Sequence, residues 1–114
     1  MRAVSDVTIE DWRRQIDEID EQLIELLTRR AACSIEIGKL KHQMKLDIAA
    51  PEREQQVIER AVERSRGRLD EQTVRRLFSA ILEESRRLQA EAGKQNSIED
   101  QPERFTNSPD EGHV

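Results

Sequence analysis

Four polar side chains stand on or beside helical rows that are otherwise apolar: Arg30, Lys41, Ser85 and Gln89. Arg30 falls on the row Trp12, Ile16, Ile19, Leu23, Leu26, Arg30, Cys33, Ile37, Leu40 and Met44, whose steps alternate between four and three. Lys41 follows eleven residues after Arg30. At about 100° per residue it returns to within about 20° of the same helical direction. Ser85 interrupts a second row, Val74, Leu77, Phe78, Ile81, Leu82, Ser85 and Leu88, and Gln89 lies one turn beyond Ser85. A buried charge costs several kcal/mol unless something pairs with it. Few carboxylates share these faces, so an anionic small molecule is a natural partner. Arg53 and Glu54, at the start of a following helix, supply a possible third wall. The chemistry within reach is recognition of a di-acid in a cationic internal pocket. A plain coiled coil remains open as the alternative, because a polar residue on the seam also fixes register.

These side chains need long helices to position them. Thr8 and Asp11 form a capping-box pattern, in which side-chain oxygens satisfy orphan backbone N–H groups. The heptad-like row then predicts a first helix over roughly 9–45, with only the mild penalty of Gly38 inside it. Pro51, after Ala49 and Ala50, suits the first position of a second helix, whose apolar face is Val57, Ile58, Ala61 and Val62 and whose end is marked by Gly67. Asp70 caps a third helix carrying the Val74–Leu88 row. The expected fold class is therefore all-α, with one long and two shorter helices per chain. At ~1.5 Å per residue the first helix is about 55 Å long, against a radius of gyration of about 13 Å for a compact chain of this size. Two short helices cannot cover such a stripe. An intertwined, two-fold homodimer through the first helix is the economical answer.

Composition narrows the function classes. The chain has 114 residues, enough for one domain, and is 35% hydrophobic against 38% charged, so its own core is modest. The single Cys33 cannot pair within the chain, and it is expected to pack as a small apolar residue in a reducing compartment. No apolar signal core opens the sequence and no window approaches a membrane span, which points to a soluble, cytoplasmic protein. Residues 91–114 hold six acids and two bases, whereas the rest holds 18 acids and 17 bases. The near-neutral body lacks the electrostatic footprint of a nucleic-acid binder. The expected organisation is a helical domain over 1–92 and a disordered, polar and acidic tail over 93–114.

Across about Ile9 to Gln89 the sequence resembles the all-helical chorismate mutases. The resemblance rests on WRRQIDEIDEQLIELLTRRAACSIEIGKLK, then PERE, then LDEQTVRRLFSAILEESRRLQ, in that order. It implies an intertwined homodimer converting chorismate to prephenate, an intramolecular Claisen rearrangement in phenylalanine and tyrosine biosynthesis that needs no metal or cofactor. It implies that Arg30 binds one substrate carboxylate and that Arg13, donated by the second chain, binds the other. Arg13 rather than Arg14 matches the motif by its spacing to Ile16 and Asp20. Lys41 and Gln89 would donate to the ether oxygen of the breaking bond. Arg53 would support the carboxylate end, Ser85 would hydrogen-bond a carboxylate, and Glu54 would accept from the ring hydroxyl. Asp17 and Asp20 are read as surface or structural residues.

One position departs from the family pattern. Where the family usually has an Asp three residues before the Arg-Glu pair, this chain has Ala50, leaving only a backbone N–H for the substrate hydroxyl. The stretch IAAPER resembles isochorismate-pyruvate lyases of the same fold, although those tend to be apolar where this chain keeps Glu54. Mutases acting on 4-amino-4-deoxychorismate also vary here. Mutase activity on chorismate is the preferred expectation over both relatives. A non-catalytic helical dimerisation or regulatory module is the alternative from another class. The sequence carries no second fused domain, so a monofunctional chain is expected. Nothing in it speaks to activation by a partner enzyme of the same pathway.

Overall fold

The structure is a computed structural model that describes residues 6–99. Three helices follow one another: α1 (Ile9–Met44), α2 (Pro51–Ser65) and α3 (Glu71–Glu99), with no strand among the described residues. The expected element order and the three helix starts hold. α3 runs on to Glu99, and the remainder of the expected tail, 100–114, lies outside the described residues. The chain divides into two units, residues 1–32 and 33–114.

The first unit is the N-terminal part of α1. Its start is the reciprocal cap that the Thr8–Asp11 pair suggests. The Asp11 N–H donates to Thr8 Oγ1 at 3.2 Å, and the Thr8 N–H donates to Asp11 Oδ2 at 2.8 Å. Glu10 and Asp11 also place negative charge where the helix dipole favours it. The apolar row is uncovered: Trp12 is 60% exposed, Ile16 54% and Leu26 55%. No described residue of this unit is buried. Leaving such a row in water forfeits the main favourable term in folding.

The second unit holds the end of α1 together with α2 and α3. Positions 34, 38 and 42 of α1 face 85, 89 and 93 of α3, so the two segments run parallel and meet along rows of step four. The residues on these rows are small where the backbones come nearest. Ser34, Gly38, Ser85, Ala92 and Gly93 are all buried. Gly38 is there for its lack of a side chain. A Cβ at that position would lie 2.6 Å from Gln89 Cα and 2.9 Å from its carbonyl carbon. Gly93 is not constrained in this way, since a Cβ there meets His42 at an ordinary 3.6 Å.

The heptad-like row is not the row that α3 covers. Cys33, expected to be packed, is exposed, as are Ile37, Leu40 and Met44. The apolar core of the second unit is small: Val74, Leu82 and Ala92 are its buried hydrophobic residues among those described. Fully burying a Val or Leu is worth only about 1.5–3 kcal/mol each.

α1 ends in a Schellman turn. Lys45 adopts φ 59°, and the N–H groups of Leu46 and Lys45 close on the carbonyls of Lys41 and His42 at 2.8 and 3.2 Å. α2 begins at Pro51 behind Ala50, which makes no side-chain cap, and the Glu54 N–H donates to the Ala50 carbonyl at 3.0 Å. It ends on Arg66 and Gly67, both left-handed. Asp70 caps α3 through the Thr73 N–H at 3.3 Å. α2 packs antiparallel on α3, with Arg75 pairing with Glu59 near one end and Arg86 with Glu54 near the other.

Gly38→Ala must push α3 off α1. We expect this substitution to cost about 1–3 kcal/mol, the usual penalty of overpacking. It will show as a lowered urea midpoint at unchanged slope, measured at fixed protein concentration.

Candidate active site

Most of the residues singled out by sequence lie in the second unit, on the end of α1, at the head of α2 and on α3. Lys41 lies one turn after Gly38 on α1 and is half-buried. Its Nζ donates to the Ile48 carbonyl at 2.9 Å, so the connection between α1 and α2 holds the ammonium. Gln89 lies on α3, where its backbone forms the surface against Gly38. The Gln89 Oε1 is buried and has no hydrogen-bond partner among the described residues. An unpaired buried amide oxygen costs about 1–3 kcal/mol.

Ser85 sits one turn before Gln89 and is buried, with its hydroxyl 2.5 Å from that of Ser34. The sequence reading missed Ser34. The signal was available in the matched step-four series Ser34–Gly38 and Ser85–Gln89.

Glu54 is the only half-buried residue of the first turn of α2, because it lies on the face continued by Val57, Ile58 and Ala61 toward α3. Placing a carboxylate there calls for a cation. Arg86 supplies it, donating from Nη1 to Glu54 Oε1 at 2.5 Å. This hydrogen bond, followed by the charge of Glu54, raises the Arg86 guanidinium further above its ordinary range, against slight desolvation. Arg86 was also missed from sequence. Arg53 is exposed, and Ala50 contributes only backbone at the head of α2.

The two arginines expected to bind carboxylates lie in the first unit. Arg30 is half-buried, in contrast to the exposed apolar row it interrupts. Arg13 is exposed and pairs with Glu10 at 3.2 Å, while the neighbouring Arg14 pairs with Asp11 at 3.5 Å. Exposed pairs of this kind contribute little and break easily. Among the described residues no cluster of His, Cys, Asp and Glu is arranged to hold a metal ion, and no helix is long and apolar enough to cross a membrane.

In this all-α chain Lys41 is held by the α1–α2 connection, Gln89 backs onto Gly38, and Glu54 is anchored by Arg86. The chorismate mutase type II profile matches residues 12–90, and the chain belongs to that family. It is 36% identical over 75 residues to the bifunctional chorismate mutase/prephenate dehydratase of Pseudomonas aeruginosa, covering 61% of this chain and 20% of that protein. It is 46% identical over 46 residues to the T-protein of Haemophilus influenzae, covering 40% of this chain and 12% of that protein. With the chorismate mutase of Methanocaldococcus jannaschii the identity is 28% over 78 residues, covering 68% of this chain and 79% of that protein. The chain thus spans a fifth or less of the length of the first two relatives. No solved structure matches it at a significant level.

The serine contact can be weighed by a double-mutant cycle over Ser34→Ala and Ser85→Ala. We expect a coupling of about 0.5–1.5 kcal/mol in unfolding free energy, the net worth of a hydrogen bond. Additive single effects would mean that the two hydroxyls act separately.

Proposed function

We propose that this chain is a chorismate mutase, acting as a homodimer on chorismate to give prephenate. Membership of the family is the observation that carries the reading. The rearrangement is unimolecular: the ether C–O bond breaks while a C–C bond forms between the side-chain methylene and the ring. No proton, nucleophile or co-substrate is consumed. The protein has two tasks, to hold the chair-like conformer and to meet negative charge as it grows on the ether oxygen.

Arg30 and the partner chain's copy of residue 13 bind the two carboxylates, with Arg53 supporting that end. The Ser85 hydroxyl can accept from Ser34 and give its own proton to a carboxylate oxygen. Lys41, released from the Ile48 carbonyl, donates to the ether oxygen, and the Gln89 amide donates beside it. Glu54 accepts from the ring hydroxyl, with the Ala50 N–H one helical turn before it in sequence. The uncovered row Trp12, Ile16, Ile19, Leu23 and Leu26 supports a two-fold partner helix, since contiguous apolar surface of this extent marks an interface.

Purified protein given chorismate should form prephenate, and given isochorismate should release no salicylate. Salicylate from isochorismate with no prephenate from chorismate would assign the lyase reaction; inertness toward both would leave a helical dimerisation module. Lys41→Ala should lower kcat by about 10²–10³-fold with the dimer intact. Since Gln89 has no proton to lose, activity should persist as pH rises through neutrality. Sedimentation should give a dimer that Leu23→Asp converts to monomer or unfolded chain; an unaffected dimer would place the interface elsewhere.

A further inference from the structure

The Arg86–Glu54 pair does more than join α3 to α2. Arg86 is the only partner of the Glu54 side chain among the described residues, and it takes Oε1 alone. Oε2 is left as an acceptor. The pair is half-shielded, with Arg86 40% and Glu54 24% exposed, so water screens it incompletely. Glu83 also acts on Arg86, but more weakly than Glu54. A bare carboxylate at the head of α2 would draw a cationic substituent far more strongly than a neutral hydroxyl. With Arg86 bound to it, the net charge of the pair is close to zero. The carboxylate keeps its acceptor lone pairs and loses its net attraction for a cation.

We propose that Arg86 is a specificity-determining residue: by neutralising Glu54 while leaving Oε2 free, it makes the site favour a ring hydroxyl over a ring ammonium. This rests on the mutase reading above, in which Glu54 faces the ring substituent. Arg86 itself is a positioning residue. It acts on the substrate through the charge and orientation of Glu54.

The test is the ratio of kcat/KM for 4-amino-4-deoxychorismate to that for chorismate, measured at low salt for wild type and three variants. In Arg86→Gln the Glu54 carboxylate loses its paired cation, the site becomes more negative by one charge, and the ratio should rise by about tenfold or more. In Arg86→Lys the charge is kept and the ratio should stay near that of wild type. In Glu54→Gln the cation is left uncompensated and the ratio should fall below wild type. A purely structural role for Arg86 would lower both substrates together. Should Arg86→Gln fail to fold, the Glu54→Gln ratio decides alone, and a value equal to or above wild type overturns the inference. Wild-type protein inert toward both compounds would overturn the mutase reading and this inference with it. Active wild type, with an unchanged ratio in the folded variants, overturns this inference alone.

Discussion

The close approach of α1 and α3 at Gly38 is the constraint on which the second unit depends. Two helical backbones meet there with no room for a Cβ, and the atoms that would collide with one belong to the backbone of Gln89. The Ser34–Ser85 contact one turn earlier holds the same parallel register. Lys41 follows Gly38 by one turn on α1. The position of the Gln89 backbone relative to α1 is therefore set by close contact at Gly38. For the site proposed above, in which two donors are aimed at one oxygen, such a contact would be a source of precision.

Stability and function draw on different faces of α1. The face toward α3 is built of small and polar residues that pack closely but bury little apolar area. The face that would supply hydrophobic stabilisation, from Trp12 to Met44, is exposed along its length. A chain with Val74, Leu82 and Ala92 as its described buried apolar residues has a thin core of its own. The proposed dimer would resolve this, because it would cover the apolar row in the same act that brings a second arginine to the substrate. Polar groups left with incomplete partners, such as the Gln89 Oε1, are then tolerable in an assembly stabilised elsewhere.

Much of the fold was legible because its signals are local. Thr8 with Asp11, Pro51, Gly67 and Asp70 each act within a few residues, and the helix limits fall where they indicate. Lys41, Ser85, Gln89 and Glu54 were visible as polar residues beside apolar rows or at a helix start, and all four lie in the second unit. Contacts between distant residues were harder to read. Gly38 looked like a mild defect in a helix, because its need for close approach depends on which residue of α3 lies opposite. Ser34 lies off the heptad-like row, and Arg86 is one of many surface-compatible arginines until Glu54 is seen half-buried beside it. Cys33 was misjudged because the row carrying it is not the row that α3 covers.

The most direct measurement is calorimetric titration of a bicyclic di-acid mimic of the transition state, with an ether oxygen in place, into wild type and Gly38→Ala. If helix approach at Gly38 aims Lys41 and Gln89 at that oxygen, the variant should remain dimeric yet bind on the order of 10²-fold more weakly. Equal affinity in the two proteins, with both dimeric and folded, would contradict it.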